Sequence, residues 1–431
     1  MTTVLHPTAG YILDVARGAE PGSLEGTQRS VLRRLADRVL EISQQPEQSE
    51  KRDLWYRHNR LESTRPLVLV FPEDSWEEII PENQLQLQHP FWRQIEWYLR
   101  HLVYRSERIL DDFVIEPTLF VERVVRSSGF GLQPEFHRGA QPKSSYVWDP
   151  PLVDPSDISR LSVPTVEVDE TATQRCYDAV GSALGDMLPV EINCRLPHAN
   201  MIGEACLLRG IDRFMLDMYD RPSWLHELMT LIANATMALV GHLEGEGYLT
   251  LNNRGHYTDS GGVGWSDELP RPGSNANLVR LEDLWGFGVA QELVLVGPQQ
   301  HEELVLNYQL PLLERCGLNA YGCCEPYTTK FDMLFDRIPR LRRVSVSPWC
   351  DVEVAAEKLG RRCIYSWKPN PAMVAGGFDR SAIRAYLRET LEIAHGCVLE
   401  LVHKDTFTID GEPARLEEWA RIAREEIDRV A

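Results

Sequence analysis

The spacing of apolar residues changes twice along the chain. In "SLEGTQRSVLRRLADRVLEI" (23–42) Leu and Val recur every three or four positions with Arg and Asp between them. That spacing predicts a helix with one buried face, opening at Ser23. Residues 1–64 read as a helical extension, packed on the main body or on a second copy of the chain in a homodimer. From Arg65 the pattern becomes a β-rich run, a polar loop and an amphipathic helix, repeated. The predicted strands are "PLVLVF" (66–71), "FVIEPTLF" (113–120), "PVEINCRL" (189–196), "YLTLNN" (248–253), "LNAYGCC" (318–324), "RRVSVSP" (342–348), "CIYSWKP" (363–369) and "CVLELVH" (397–403). Helices lie between them, among them "HPFWRQIEWYLRHLVYRSERILDD" (89–112) and a pair split by "DRPSW" (220–224).

Short apolar strands alternating with helices predict parallel pairing through right-handed crossovers, and eight of them predict an α/β fold closed into a (β/α)8 TIM barrel over 65–431. An open doubly wound sheet is the second choice. It lacks its phosphate-binding turn, because no GxGxxG or GxxxxGK[ST] follows a strand. The Gly/Pro-rich stretch at 254–290 reads as a long insertion after the fourth strand. It has the length of a mobile lid, with Trp265, Trp285 and Phe287 as the surface that closes.

Composition narrows the class. Hydrophobic residues make up 43% and charged residues 25%, as in ordinary globular domains. No apolar run reaches the roughly 18 residues of a membrane helix. The first residues, "MTTVLHPTAGYILDVARG", lack the basic start and apolar core of an export signal, so a cytoplasmic protein is expected. The net charge of −19 argues against nucleic acid as a partner. Nine cysteines, an odd number with no CxxC, predict reduced thiols.

In a barrel the chemistry sits at the carboxyl ends of the strands. Cys323, Cys324 and Glu325 fall at such an end, two soft ligands beside a hard one. Zinc would stabilise a thiolate there; the bland reading is that the cysteines fill the core. His403 and Asp405 share a face if the last strand persists, His403 as ligand or acid/base and Asp405 as base or helix cap. Glu73 and Glu116 are further acid/base candidates. Arg195 suits a carboxylate clamp, with a structural ion pair as the alternative. Asn193, Asn252 and Asn253 suit substrate hydrogen bonding, with the alternative that Asn is a common turn residue. His256, a further catalytic candidate, and Tyr257 stand at the root of the insertion, where one of them is expected to touch substrate, and Lys368, which ends the seventh strand, is expected to bind substrate. Trp349, with Trp367 and Tyr327, suits an aromatic wall or core packing.

Three stretches carry a family resemblance: "GIDRFMLDMYDRPSWLHELM" (210–229), "VGPQQHEELVLNYQLPLLERCG" (296–317) and "AYGCCEP" (320–326). With them the chain resembles the uroporphyrinogen decarboxylase-like superfamily from about residue 60 onward. That resemblance implies either a metal-free decarboxylase or a zinc methyltransferase that moves methyl groups between a substrate or corrinoid protein and a thiol. In the methyltransferase branch a His-x-Cys-Gly motif and a later Cys hold zinc. Laid on this chain, the motif's His falls on Gly322, its Cys on Cys324 and the later Cys near His403, leaving Cys323, Glu325 and Asp405 as replacement ligands. The Arg/Gly-rich substrate motif of the decarboxylases has no match in "RPLVLVFPEDSW".

The expected function is therefore a zinc-dependent methyltransferase or demethylase acting on a small methylated metabolite, with a corrinoid protein or a thiol as the other party. Zinc would be held by Cys324 and His403 with Glu325 or Cys323. The alternatives are a metal-free lyase working through Arg195, Glu73 or Asp405, and a non-catalytic barrel that binds a ligand or corrinoid.

Overall fold

The runs "LVLV", "LNAY", "IYSW" and "VLELVH" are buried along their whole length, as strands covered on both faces must be. They belong to a six-stranded sheet in the order Leu67–Val70, Val398–His403, Ile364–Trp367, Leu341–Val346, Leu318–Tyr321, Trp285–Gly288. Every neighbouring pair in it is parallel, so all six carboxyl ends share one edge. A second parallel sheet joins Ile12–Leu13, Leu119–Glu122 and Val190–Asn193. This computed structural model describes residues 12–13, 20–139, 146–257, 259–275 and 278–430.

Two predicted strands are corrected. Among the described residues 248–253 forms no strand, and the edge place is taken by Trp285–Gly288, inside the stretch read as an insertion. The reason is local. The Asn252 amide donates to the Trp285 carbonyl and accepts from the Trp285 N–H, both at 2.9 Å. These are the bonds a neighbouring strand would supply, so the chain borders the sheet through a side chain. The strand expected at 113–120 is Leu119–Glu122. Just upstream, the Asp112 and Asp111 carboxylates accept from the Val68 and Val70 N–H groups at 2.8 and 3.1 Å. The segments flanking the smaller sheet's strands thus bond to the main sheet, at Asp111 and Asp112 on one side and through the Ala199–Gly288 bridge on the other. The architecture is mixed α/β around a six-stranded parallel sheet.

Helices cover one face of that sheet. In Arg380–Ile393 the buried Ile383, Leu387, Thr390 and Leu391 line one side, and the Asp379 carboxylate caps the Ser381 and Ala382 N–H groups. The expected helices at 89–112 and around 220–224 are Pro90–Arg108, Ile211–Asp220 and Pro222–Gly245. The opposite face of the sheet is polar: Arg343, Ser366 and Glu400 are buried and joined to one another.

The N-terminal helices explain how that polar face stays dry. Gly26–Ser43 buries Leu32, Ala36, Val39 and Ile42. Pro46–Asn59 ends by pushing His58 and Asn59 into the interior. There His58 Nε2 lies 3.1 Å from Glu400 Oε2, and Arg343 Nη2 donates to Asn59 Oδ1 at 2.6 Å.

The aromatic surface expected to close as a lid is already packed inside. Trp265, Trp285 and Phe287 are buried. Asn59 Nδ2 donates to the Trp265 carbonyl at 2.5 Å, and Arg343 Nη1 to the Gly261 carbonyl at 3.0 Å.

Candidate active site

The strand Leu318–Tyr321 ends at Gly322, whose φ is +103°. A Cβ there would meet the Tyr327 ring at 2.6 Å and the Ser345 carbonyl at 3.0 Å. Glycine is thus required both by conformation and by space. The turn brings Cys323 inward, 5% exposed, with Cys324 beside it and their sulfurs 3.4 Å apart. The Ser260 hydroxyl donates to Cys323 Sγ at 3.1 Å. Lys404, buried one residue past the strand Val398–His403, reaches Ser260 Oγ at 2.9 Å and Cys323 Sγ at 3.9 Å.

Two carboxylates hold that ammonium. Lys404 Nζ lies 3.3 Å from Asp405 and 3.7 Å from Glu73, and the Asp405 N–H donates to Glu73 at 2.9 Å. Asp405 and Glu73 both sit in the left-handed region, with φ of 59° and 43°. Such strain in non-glycine residues gathers at functional sites. Cys324 Sγ approaches Asp405 at 3.7 Å. Its hydrogen bond with Cys323, and then burial, push its pKa well up, so Cys324 keeps its proton.

Lys368 lies beyond the end of Ile364–Trp367, also buried. Its amine meets Ser366 Oγ at 2.6 Å, and that hydroxyl donates to Glu400 at 2.5 Å. Burial pushes the Lys368 pKa down to about 7 despite the pull of Glu400. Burial works to raise Glu400, but the Arg343 guanidinium, His58 and Lys368 outweigh it and hold the carboxyl far below its usual range. Lys368 is therefore an amine that can be neutral near neutral pH.

Other predicted residues lie elsewhere. His403 is turned to the helical face: its ring stands edge-on to Trp419 at 4.5 Å, and Nδ1 meets Thr406 Oγ1 at 3.2 Å. Burial holds its pKa down at about 3. Glu325 is fully buried and occupied by the Cys323 and Ala290 N–H groups, each at 3.1 Å, and by the Tyr327 hydroxyl. His403 thus faces the helices, and the Glu325 oxygens are already taken by hydrogen bonds. Glu116 pairs with Arg254 at 2.8 Å, and burial raises its pKa. Asn193 bonds Glu122 and Thr250, Arg195 lies at the surface 3.5 Å from Glu122, and Asn253 bonds the Leu269 carbonyl.

His256 and Tyr257 are buried against Phe120 and Phe71, at 5.0 and 3.9 Å between rings. Neither His256 nitrogen has a hydrogen-bond partner among the described residues. Burial, reinforced by Arg254 and Arg195, pushes its pKa down to about 3. Trp349 is exposed, whereas Trp367 and Tyr327 are core residues.

The zinc site expected from Cys324, His403, Glu325 and Cys323 does not form from these positions. Two thiols and Asp405 are suitable donors. Yet among the described residues the one set of three such ligand atoms within 4.8 Å of one another is Glu135, His137 and Asp149, far away in sequence. A resident cation, Lys404, already lies among the thiol and carboxylate groups. Sequence reasoning missed Lys404 and Ser260. Alternation along the last strand pairs 403 with 405, but the strand ends at His403 and the turn at Asp405 breaks the pattern.

No family model matches the chain, and no curated protein matches it. Among solved structures the chain is similar to a methyltransferase from Methanosarcina mazei. The identity is 11%, the match covers 88% of this chain and 98% of that one, and the TM-score is 0.47. Among the described residues no helix is long and apolar enough to cross a membrane.

Proposed function

We propose that the protein is a methyltransferase-type enzyme on a closed barrel of the uroporphyrinogen decarboxylase-like kind, with Cys323 as its reactive thiol. The observation that carries this reading is Cys323 Sγ set between the Ser260 hydroxyl at 3.1 Å and the Lys404 ammonium at 3.9 Å. A nearby cation and a hydrogen bond favour a thiolate, the nucleophilic form. The place of "AYGCCEP" in the resemblance adds methyl as the group transferred.

In the transfer, a thiolate lone pair forms the S–CH3 bond as the bond from carbon to the leaving group breaks. The leaving group keeps that electron pair, so a good donor is an onium or corrinoid-bound methyl on a small molecule or partner protein. The thiol proton passes to Asp405 or Glu73, and Lys404 balances the charge that moves. No step is assigned to zinc, since the donors present do not converge as a metal site.

The test is to incubate purified protein with methylated onium and corrinoid donors and weigh the peptide holding residues 323–324. A gain of one methyl, lost in Cys323→Ser and unaffected by EDTA, is expected. Turnover of a methyl donor that survives Cys323→Ser would overturn the assignment. A second reading, decarboxylation by general acid–base chemistry, is favoured by the buried Lys368 amine near the same edge, whose pKa burial lowers to about 7. It expects carbon dioxide release from a small acid, retained in Cys323→Ser and lost in Lys368→Met.

A further inference from the structure

The segment between the strands Leu119–Glu122 and Val190–Asn193 of the smaller sheet holds an antiparallel hairpin, Glu135–Arg138 with Tyr146–Asp149. Strand alternation gives it two unlike faces. Phe136, Tyr146 and Trp148 form one, with ring centroids 5.4 Å apart for Phe136–Tyr146 and 6.3 Å for Tyr146–Trp148. Trp148 Nε1 donates to the Leu207 carbonyl at 3.2 Å, which ties that face to the body of the protein. The other face carries Glu135 and His137 on one strand and Asp149 on the next, all exposed.

Glu135 and Asp149 are register partners. Like charges directly opposite across a ladder are destabilising. His137 lies one step diagonally from Asp149, with Nε2 2.8 Å from Oδ2. A His137–Asp149 pair alone would need no second carboxylate, and Glu135 stands opposite Asp149, where the two carboxylates repel. Ligand atoms of all three residues nevertheless lie within 4.8 Å of one another. One imidazole nitrogen and two carboxylate oxygens, on strands fixed by their ladder, are the donors of a borderline divalent metal.

We propose that Glu135, His137 and Asp149 form a surface site for a divalent transition-metal ion of the zinc class, water completing its coordination. The metal would neutralise the opposed carboxylates and cross-link the hairpin. This site is separate from the thiol cluster and independent of the proposed activity.

The test is calorimetric titration of Zn2+ into EDTA-treated, dialysed full-length protein carrying Cys323→Ser and Cys324→Ser, so that the thiols contribute nothing. One equivalent per chain is expected, lost on adding His137→Ala or Asp149→Asn, with circular dichroism showing both variants folded. Absence of zinc binding, or zinc binding unchanged by His137→Ala, would overturn the site. Calcium binding as tight as zinc would also overturn it, reducing the cluster to a diffuse acidic surface.

Discussion

Lys404 changes what Cys323 can do. A cation near a thiol favours the charged sulfur, and one pKa unit corresponds to about ten-fold in thiolate fraction. Lys404→Met should therefore slow carboxamidomethylation of Cys323 by iodoacetamide about ten-fold at neutral pH, read by mass spectrometry. An unchanged rate would mean the ammonium serves only Glu73 and Asp405. His403, by contrast, matters for stability. Its folded pKa of about 3 lies below the ordinary 6.5, so between those values only the unfolded chain binds the proton. Stability is then lost as pH falls from about 6.5 towards 3. By pH 5 the loss is about 2 kcal/mol, from 1.36 kcal/mol per unit. His403→Gln should shrink the fall in denaturation midpoint between pH 7 and pH 5; an equal fall would assign the acid sensitivity to other groups.

At the scale of elements, single side chains decide where strands begin and end. Asn252 holds both backbone groups of Trp285. Asn252→Ala should cost about 1–3 kcal/mol for the buried groups left unpaired, visible as a lower melting temperature. Gly322→Ala places a methyl against Tyr327 in a backbone region costly for side chains. We expect about 1–3 kcal/mol lost, together with changed Cys323 reactivity because the turn that aims it must shift. Most strands were legible because full burial demands unbroken apolar runs, as in "LVLV" and "VLELVH". "YLTLNN" misled because its composition suits a strand while its asparagine replaces the ladder. "WGFG" (285–288) was hidden, since two glycines in four residues do not read as β.

Across the whole molecule, the polar interior is the feature with the largest energetic stake. Glu400 is fully buried and bound to Arg343, His58 and Ser366. These partners come from the N-terminal helices and from two other strands. Glu400→Gln leaves the Arg343 guanidinium buried without its counter-charge, which should cost about 3–5 kcal/mol in urea unfolding. A loss near zero would show that the network relaxes or hydrates. The same network explains why the extension folds with the body: His58 and Asn59 complete its hydrogen bonds.

The sequence by itself determined that strands and helices alternate, that the strands of the main sheet run parallel, and that Cys323 and Cys324 stand at a strand's end. Periodicity and short connections carry that information locally. Only the tertiary structure decided which groups meet there. Ser260 and Lys404 converge on Cys323, and Glu73 on Lys404, from three distant segments; strand alternation turns His403 to the helical face, and the left-handed Asp405 keeps residue 405 from following it. Such convergence depends on chain direction at turns and on packing between segments far apart in sequence, and neither is encoded by spacing within any one element.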